Sequence, residues 1–111
     1  MSIMTSYNQI NGVPAADSYD MNTNIARGEW GFEGLIMTDW NGGVSHPSTS
    51  MHAGNDLIMP GSREDVEEII ASVDAAEGTV KCPVKVEELR TCAERVLRMI
   101  AKSNVCPGRS L

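Results

Sequence analysis

The sequence predicts an α/β fold with parallel strands, on three observations. Strand-like and helix-like segments alternate along the chain, the clearest strand is apolar without interruption, and the later helices carry apolar stripes at helical spacing. The order reads strand, helix, strand, helix, strand, helix, helix. The first strand is the apolar-leaning run from Ser2 to Ser6, which stops at Tyr7-Asn8 before the turn formers Asn11-Gly12 and Pro14. Ser18 to Trp30 reads as a helix with Met21 and Ile25 on one face, although Asn22-Thr23-Asn24 are poor helix formers. Gly28, Gly31 and Gly34 then break the chain. Leu35-Ile36-Met37-Thr38 is the clearest strand, and its lack of alternation fits burial on both faces, as in a parallel sheet. It ends at Asp39-Trp40, before the turn signal Asn41-Gly42-Gly43. A third strand is expected from about Asp56 to Met59, closed by Pro60-Gly61. From Glu64 to Ala76, the positions Val66, Ile69, Ile70 and Val73 form one helical stripe. Ser62 with Asp65 suits the start of that helix and Gly78 its stop. From Val86 to Lys102 the stripe is Leu89, Cys92, Ala93, Val96 and Ile100, with Pro107-Gly108 beyond its end.

Size narrows the architecture. The chain has 111 residues, which suits one small domain. Parallel strands are covered by helices or closed into a barrel, and a (β/α)8 barrel takes about 250 residues. The expected structure is therefore a partial (β/α)8 barrel, about three strand-helix units plus a C-terminal helix, with residues 1–111 as one portion of a barrel domain. Such a piece leaves unpaired sheet edges, so self-association or partial order of the isolated chain is expected.

Composition removes other classes. With 41% hydrophobic and 22% charged residues the chain is too apolar to be disordered. A net charge of -6 argues against a nucleic-acid partner, which would need clustered cations. No uninterrupted apolar run is long enough to span a membrane. The three cysteines, Cys82, Cys92 and Cys106, are odd in number and form no CxxC or metal knuckle, so they read as buried or idle thiols. His46 and His52 are badly spaced for two ligands on one helix face. Neither a metal nor a cofactor is expected. The acidic run Glu64-Asp65-Glu67-Glu68 reads as a solvated helix face, and Met37, Met51 and Met59 as core.

In barrel folds the active-site residues sit at the carboxyl ends of the strands. Here those positions hold Tyr7-Asn8 and Asp39-Trp40. A carboxylate beside an indole suits a sugar site: the carboxylate attacks or stabilises an anomeric centre, and the indole packs on a pyranose face. On spacing alone, the simpler reading is stronger, with Asp39 capping the following turn and Trp40 in the core.

Four blocks alter that balance. Met4-Thr5-Ser6-Tyr7-Asn8-Gln9-Ile10-Asn11-Gly12-Val13-Pro14 resembles the SYNxxNGVP segment of glycoside hydrolase family three β-glucosidases. Arg27-Gly28-Glu29-Trp30-Gly31-Phe32-Glu33-Gly34 resembles that family's RGEWGFDG, and Leu35-Ile36-Met37-Thr38-Asp39-Trp40 its strand ending in SDW. Ala53-Gly54-Asn55-Asp56-Leu57-Ile58-Met59-Pro60-Gly61 is similar to its AGxDLxMPG. The blocks lie in register from Met4 to Gly61, and Arg95-Val96-Leu97-Arg98 resembles part of the family's closing helix. The resemblance implies a retaining hydrolase acting on a β-linked oligosaccharide or glucoside at its terminal glucosyl unit. It implies Asp39 as catalytic nucleophile, Trp40 as lining of the sugar subsite, and Tyr7 close to the nucleophile. It makes residues 1–111 the C-terminal portion of the family's barrel domain, and places the general acid/base, a Glu of a later domain, outside this chain and the Lys-His pair and subsite arginines on earlier strands. Glu29 and Glu33 lie at the wrong end of the strand to replace that acid. Thr38 and Asn41 stand where the family often has Ser and Gly. Met21-Asn22-Thr23-Asn24-Ile25 replaces a Leu-rich helix, so looser packing is expected there. Trp40, where the β-N-acetylglucosaminidase branch has a second Asp, favours the glucosidase branch. The other function classes left open are an inactive piece that binds sugar through Trp40 and Tyr7, and a protein-interaction piece.

Overall fold

The computed structural model describes residues 1–76 and 78–103. Cys106 and Pro107-Gly108 lie outside them. Strand β1 (Ser2–Thr5) pairs in parallel with β4 (Leu35–Thr38), with Ser2 opposite Leu35 and Thr5 opposite Thr38. Parallel neighbours need a crossover. This one runs through the hairpin β2 (Gln9–Ile10) and β3 (Val13–Pro14), a 3-10 turn at Ala15–Asp17 and a helix at Asp20–Glu29. Leu35 and Ile36 are both buried although they point to opposite faces, which is why the strand carries no alternation.

The helix at Asp20–Glu29 is π-wound, and Trp30 N donates to Ile25 O at its end. Its polar residues do not loosen this stretch as expected; they are the ties. Asn22 is buried and its Nδ2 donates to Ala15 O and Ala16 O, while Thr23 Oγ1 donates to Ala53 O at 2.9 Å.

The expected third strand is reduced to a single bridge, Met37 to Leu57. Asp56 turns its carboxylate into the protein, and Met59 N donates to a side chain rather than to the next ladder carbonyl. Helix α1 (Pro47–Ala53) precedes it and ends at Gly54, whose φ of 109° is left-handed. A Cβ at Gly54 would lie 2.6 Å from Thr23 Oγ1, so glycine here permits both the turn and the close approach.

Helix α2 (Arg63–Ser72) has the expected capping box, with Asp65 N donating to Ser62 Oγ and Ser62 N donating to Asp65 Oδ2. It stops earlier than the Gly78 signal suggested, because Val73 becomes extended and bridges Val84. Its apolar stripe is largely uncovered: Val66 is 53% and Ile70 65% exposed. Glu68 is not simply solvated, since its Oε1 accepts from Ser48 N and Ser48 Oγ and so holds the start of α1. Helix α3 (Val86–Lys102) has the expected bounds. It buries Cys92 and leaves Leu97 and Ile100 exposed.

The core is small and half polar. Beside Leu35, Ile36, Val84 and four alanines lie buried Thr5, Asn22, Thr38, Ser48, Ser50, Asn55, Asp56 and Ser72. Buried polar groups demand partners, and the pairing is dense. Asn55 Nδ2 donates to Ala16 O and Ser50 O, and its Oδ1 accepts from Thr5 Oγ1, so it joins the end of β1 to α1 and the 3-10 turn. Asp56 Oδ2 accepts from Ile36 N and from Arg27 Nη2 at 2.7 Å, and its Oδ1 accepts from Arg95 Nη1 at 3.0 Å. Burial, helped by the negative Asp56, pushes the Cys92 thiol up to about 12, so it is a neutral, inert group.

Candidate active site

Tyr7 lies two residues beyond β1, and Asp39 is the first residue beyond β4. Because Thr5 pairs with Thr38, these positions come together at the carboxyl end of the sheet. Asp39 N donates to Thr5 O at 3.2 Å, which carries the pairing one step past the strand. Asp39 then caps a 3-10 turn over Trp40–Gly42: its Oδ1 accepts from Trp40 N at 2.6 Å and its carbonyl from Gly42 N at 2.8 Å. The capping geometry foreseen from spacing is therefore present. The burial of Trp40 foreseen with it is not: the indole is 58% exposed, because the turn carries it outward from the strand end.

Tyr7 Oη donates to Trp40 O at 2.8 Å and ties the two strand ends together. Desolvation first, and the Asp39 carboxylate second, hold its phenol above the ordinary tyrosine value, while hydrogen bonding from the Trp40 backbone opposes them. Tyr7 is 49% exposed, so water screens the Asp39 charge and the contact adds little to stability. The loop is shaped to the ring. Gly43 has φ 65°, and a Cβ there would lie 2.9 Å from Tyr7 Cδ1. Asn41, at φ 59°, takes the left-handed conformation that Asn tolerates well.

The arrangement offers one half-buried, oriented carboxylate, one exposed indole and one phenol at a strand end. Three surface hollows, of about 140, 420 and 70 Å³, are lined by other residues. Proximity at the strand ends, not enclosure, marks this place. Glu29 and Glu33 precede β4, at the end opposite Asp39. The His52 side chain is engaged elsewhere: its Nδ1 pairs with Glu88 at 2.8 Å and its ring stacks on Tyr19, while the backbone N–H of His46 donates to Asp17. Reading the sequence alone missed Thr38 Oγ1, the Met59 backbone and Gly43 as the frame of the site.

Residues 1–99 match the model of the glycosyl hydrolase family 3 N terminal domain. The chain is 38% identical over 102 residues to a β-glucosidase of Rhizobium radiobacter, covering 91% of this chain and 12% of that protein. It is 45% identical over 74 residues to an exo-α-(1→6)-L-arabinopyranosidase of Bifidobacterium breve, covering 66% of this chain and 10% of that one. Among solved structures it is similar to β-glucosidase 3B from Thermotoga neapolitana in complex with glucose, with a TM-score of 0.76 and 33% identity over 90% of this chain and 14% of that one. The fold is thus the partial (β/α)8 barrel expected from the sequence, and the chain spans about an eighth of the length of the proteins it matches.

Proposed function

Because this chain belongs to glycosyl hydrolase family 3, within its N-terminal domain, we propose that it is the nucleophile-bearing portion of a retaining β-glycosidase acting on terminal β-linked glucosyl units. The observation that carries this is a capped, half-buried Asp39 at the carboxyl end of β4, flanked by the exposed Trp40 indole and the Tyr7 phenol. In the proposed double displacement, an Asp39 carboxylate oxygen attacks the anomeric carbon. The bond to the leaving oxygen breaks, and a glycosyl ester forms on Asp39. Water then attacks the same carbon, and the carboxylate departs. Trp40 packs on the apolar face of the sugar, and Tyr7 orients the turn through the Trp40 carbonyl. The name of the arabinopyranosidase relative keeps pentopyranosides within the substrate class.

Protonation of the leaving group falls to a residue outside this chain. A retaining pair needs carboxyl groups about 5 Å apart, while β4 alone carries the backbone about 13 Å from Leu35 to Asp39, and Glu33 lies before its start. The test follows from that division of labour. A 2,4-dinitrophenyl 2-deoxy-2-fluoro-β-glucoside releases a stable phenolate and needs no acid, so the nucleophile alone can react. The expected result is a one-to-one glycosyl adduct that peptide mass spectrometry places on Asp39 and that is absent from Asp39→Ala. An adduct on Glu29 or Glu33 would overturn the assignment.

The isolated chain is also proposed to self-associate. The outer edge of β1 has no strand beside it among the described residues, and Met4, Trp30, Ile70 and Leu97 are more than half exposed. Sedimentation velocity should show species larger than a monomer. A single monomeric boundary together with cooperative melting would count against it.

A further inference from the structure

We propose that the Thr38 hydroxyl is a positioning group for Asp39: by accepting the Met59 N–H, it lets the chain leave the strand ladder in the conformation that presents the Asp39 carboxylate. The inference rests on the reading of Asp39 as nucleophile but is tested independently of it. In a parallel pair the hydrogen bonds are evenly spaced along both strands. Beside β4, Asp56 N donates to Ile36 O at 2.7 Å and Thr38 N donates to Leu57 O at 3.0 Å. The next rung would join Met59 N to the Thr38 carbonyl and Trp40 N to the Met59 carbonyl. Neither bond is made that way. Met59 N donates instead to Thr38 Oγ1 at 2.9 Å, and the Met59 carbonyl accepts from Asn41 N, one residue later, at 2.6 Å.

The slip frees the Trp40 N–H, which donates to Asp39 Oδ1 at 2.6 Å and orients the carboxylate. Met59 therefore holds the turn on both sides of Asp39-Trp40, through a side chain before it and a backbone amide after it. Thr5 O, which accepts from Asp39 N, closes the third side. Thr38 is 1% exposed, so no water can replace its hydroxyl without opening the packing. The role requires an oxygen on Cβ and not the methyl, so Ser can serve and the isosteric Val cannot.

The experiment reads the Tyr7 phenol, which senses Asp39 without any substrate. In a Tyr19→Phe background, Tyr7 is the sole tyrosine, and its titration is followed by ultraviolet difference absorbance. Asp39→Asn sets the value for a phenol with no neighbouring charge. Thr38→Val is expected to move the Tyr7 titration down to that value, and Thr38→Ser to keep it at the unmodified one. A Thr38→Val titration that stays at the unmodified value would overturn the proposal. Should Thr38→Val fail to fold, amide exchange in the unmodified chain decides: a Met59 N–H that exchanges slowly supports the bond, and one that exchanges as freely as an open loop overturns it. If the Tyr7 titration follows the Thr38 hydroxyl but no adduct forms on Asp39, the staple stands and the nucleophile reading fails. The reverse pattern sinks the staple alone.

Discussion

Asp56→Ala should destabilise this chain by about 3–5 kcal/mol, the cost of removing one partner from a buried ion pair. The Asp56 side chain is 0% exposed, and Arg27 beside it only 9%. Removing the carboxylate leaves the Arg27 charge desolvated, leaves Ile36 N without its acceptor and strips Arg95 of its partner. Burial already draws the Arg27 guanidinium below its ordinary value, with the Asp56 charge as the main opposing influence and the neighbouring Arg95 charge adding to the fall. Arg95→Leu should cost less than Asp56→Ala, because Arg95 is 24% exposed and water can attend to what remains. A domain of this size is stable by about 5–15 kcal/mol, so the Asp56 variant should lose about a fifth of its stability or more. Urea unfolding followed by circular dichroism measures the difference. A loss below about 1 kcal/mol would mean that the cluster is not an energetic centre of the fold.

That cluster also marks where reading the sequence stops. Strand β4 was legible because residues covered on both faces leave a local pattern, and α3 because its apolar stripe is local too. Arg27 and Arg95 meet Asp56 across 29 and 39 positions, and no spacing rule announces such a meeting. In the sequence, the segment from about Asp56 to Met59 reads as a strand closed by Pro60-Gly61. Its hydrogen bonds are instead divided between Ile36, Thr38 and Asn41, which ends the ladder after one bridge. At the site, the resemblance supplied Asp39, Trp40 and Tyr7, and the turn signal supplied the cap. The exposure of Trp40 was not legible, because a tryptophan after an apolar run reads as core unless the direction of the following turn is known. In the sequence Gly43 signals only a turn. Its second requirement, room for the Tyr7 ring, depends on a residue from another strand.

If the chain is the nucleophile-bearing portion of a β-glycosidase as proposed, the most severe functional change should come from Asp39→Ala in that glycosidase. A positioned carboxylate acts at an effective concentration of about 10⁵ M or more, so replacing it by solvent water should slow hydrolysis of an aryl β-glucoside by at least about a thousandfold. Structure sets a smaller, separate cost. Asp39 caps the turn through Trp40 N, and loss of such a cap costs about 0.5–2 kcal/mol, which melting separates from the kinetic loss. Azide distinguishes the nucleophile from any other role. With the Asp39 carboxylate gone, a small anion can enter from the same face and attack the anomeric carbon directly. One displacement inverts the centre, so a β-glucoside should yield the α-glucosyl azide, with activity partly restored. If Asp39 instead served as acid/base, an intact nucleophile would react first and azide second, and two inversions would give the β-glucosyl azide. Proton NMR of the product tells the anomers apart. The β-azide, or turnover unaffected by Asp39→Ala, would remove the nucleophile from this position. The α-azide would fix its role, since only a group that attacks from the face opposite the leaving oxygen can be replaced in that way.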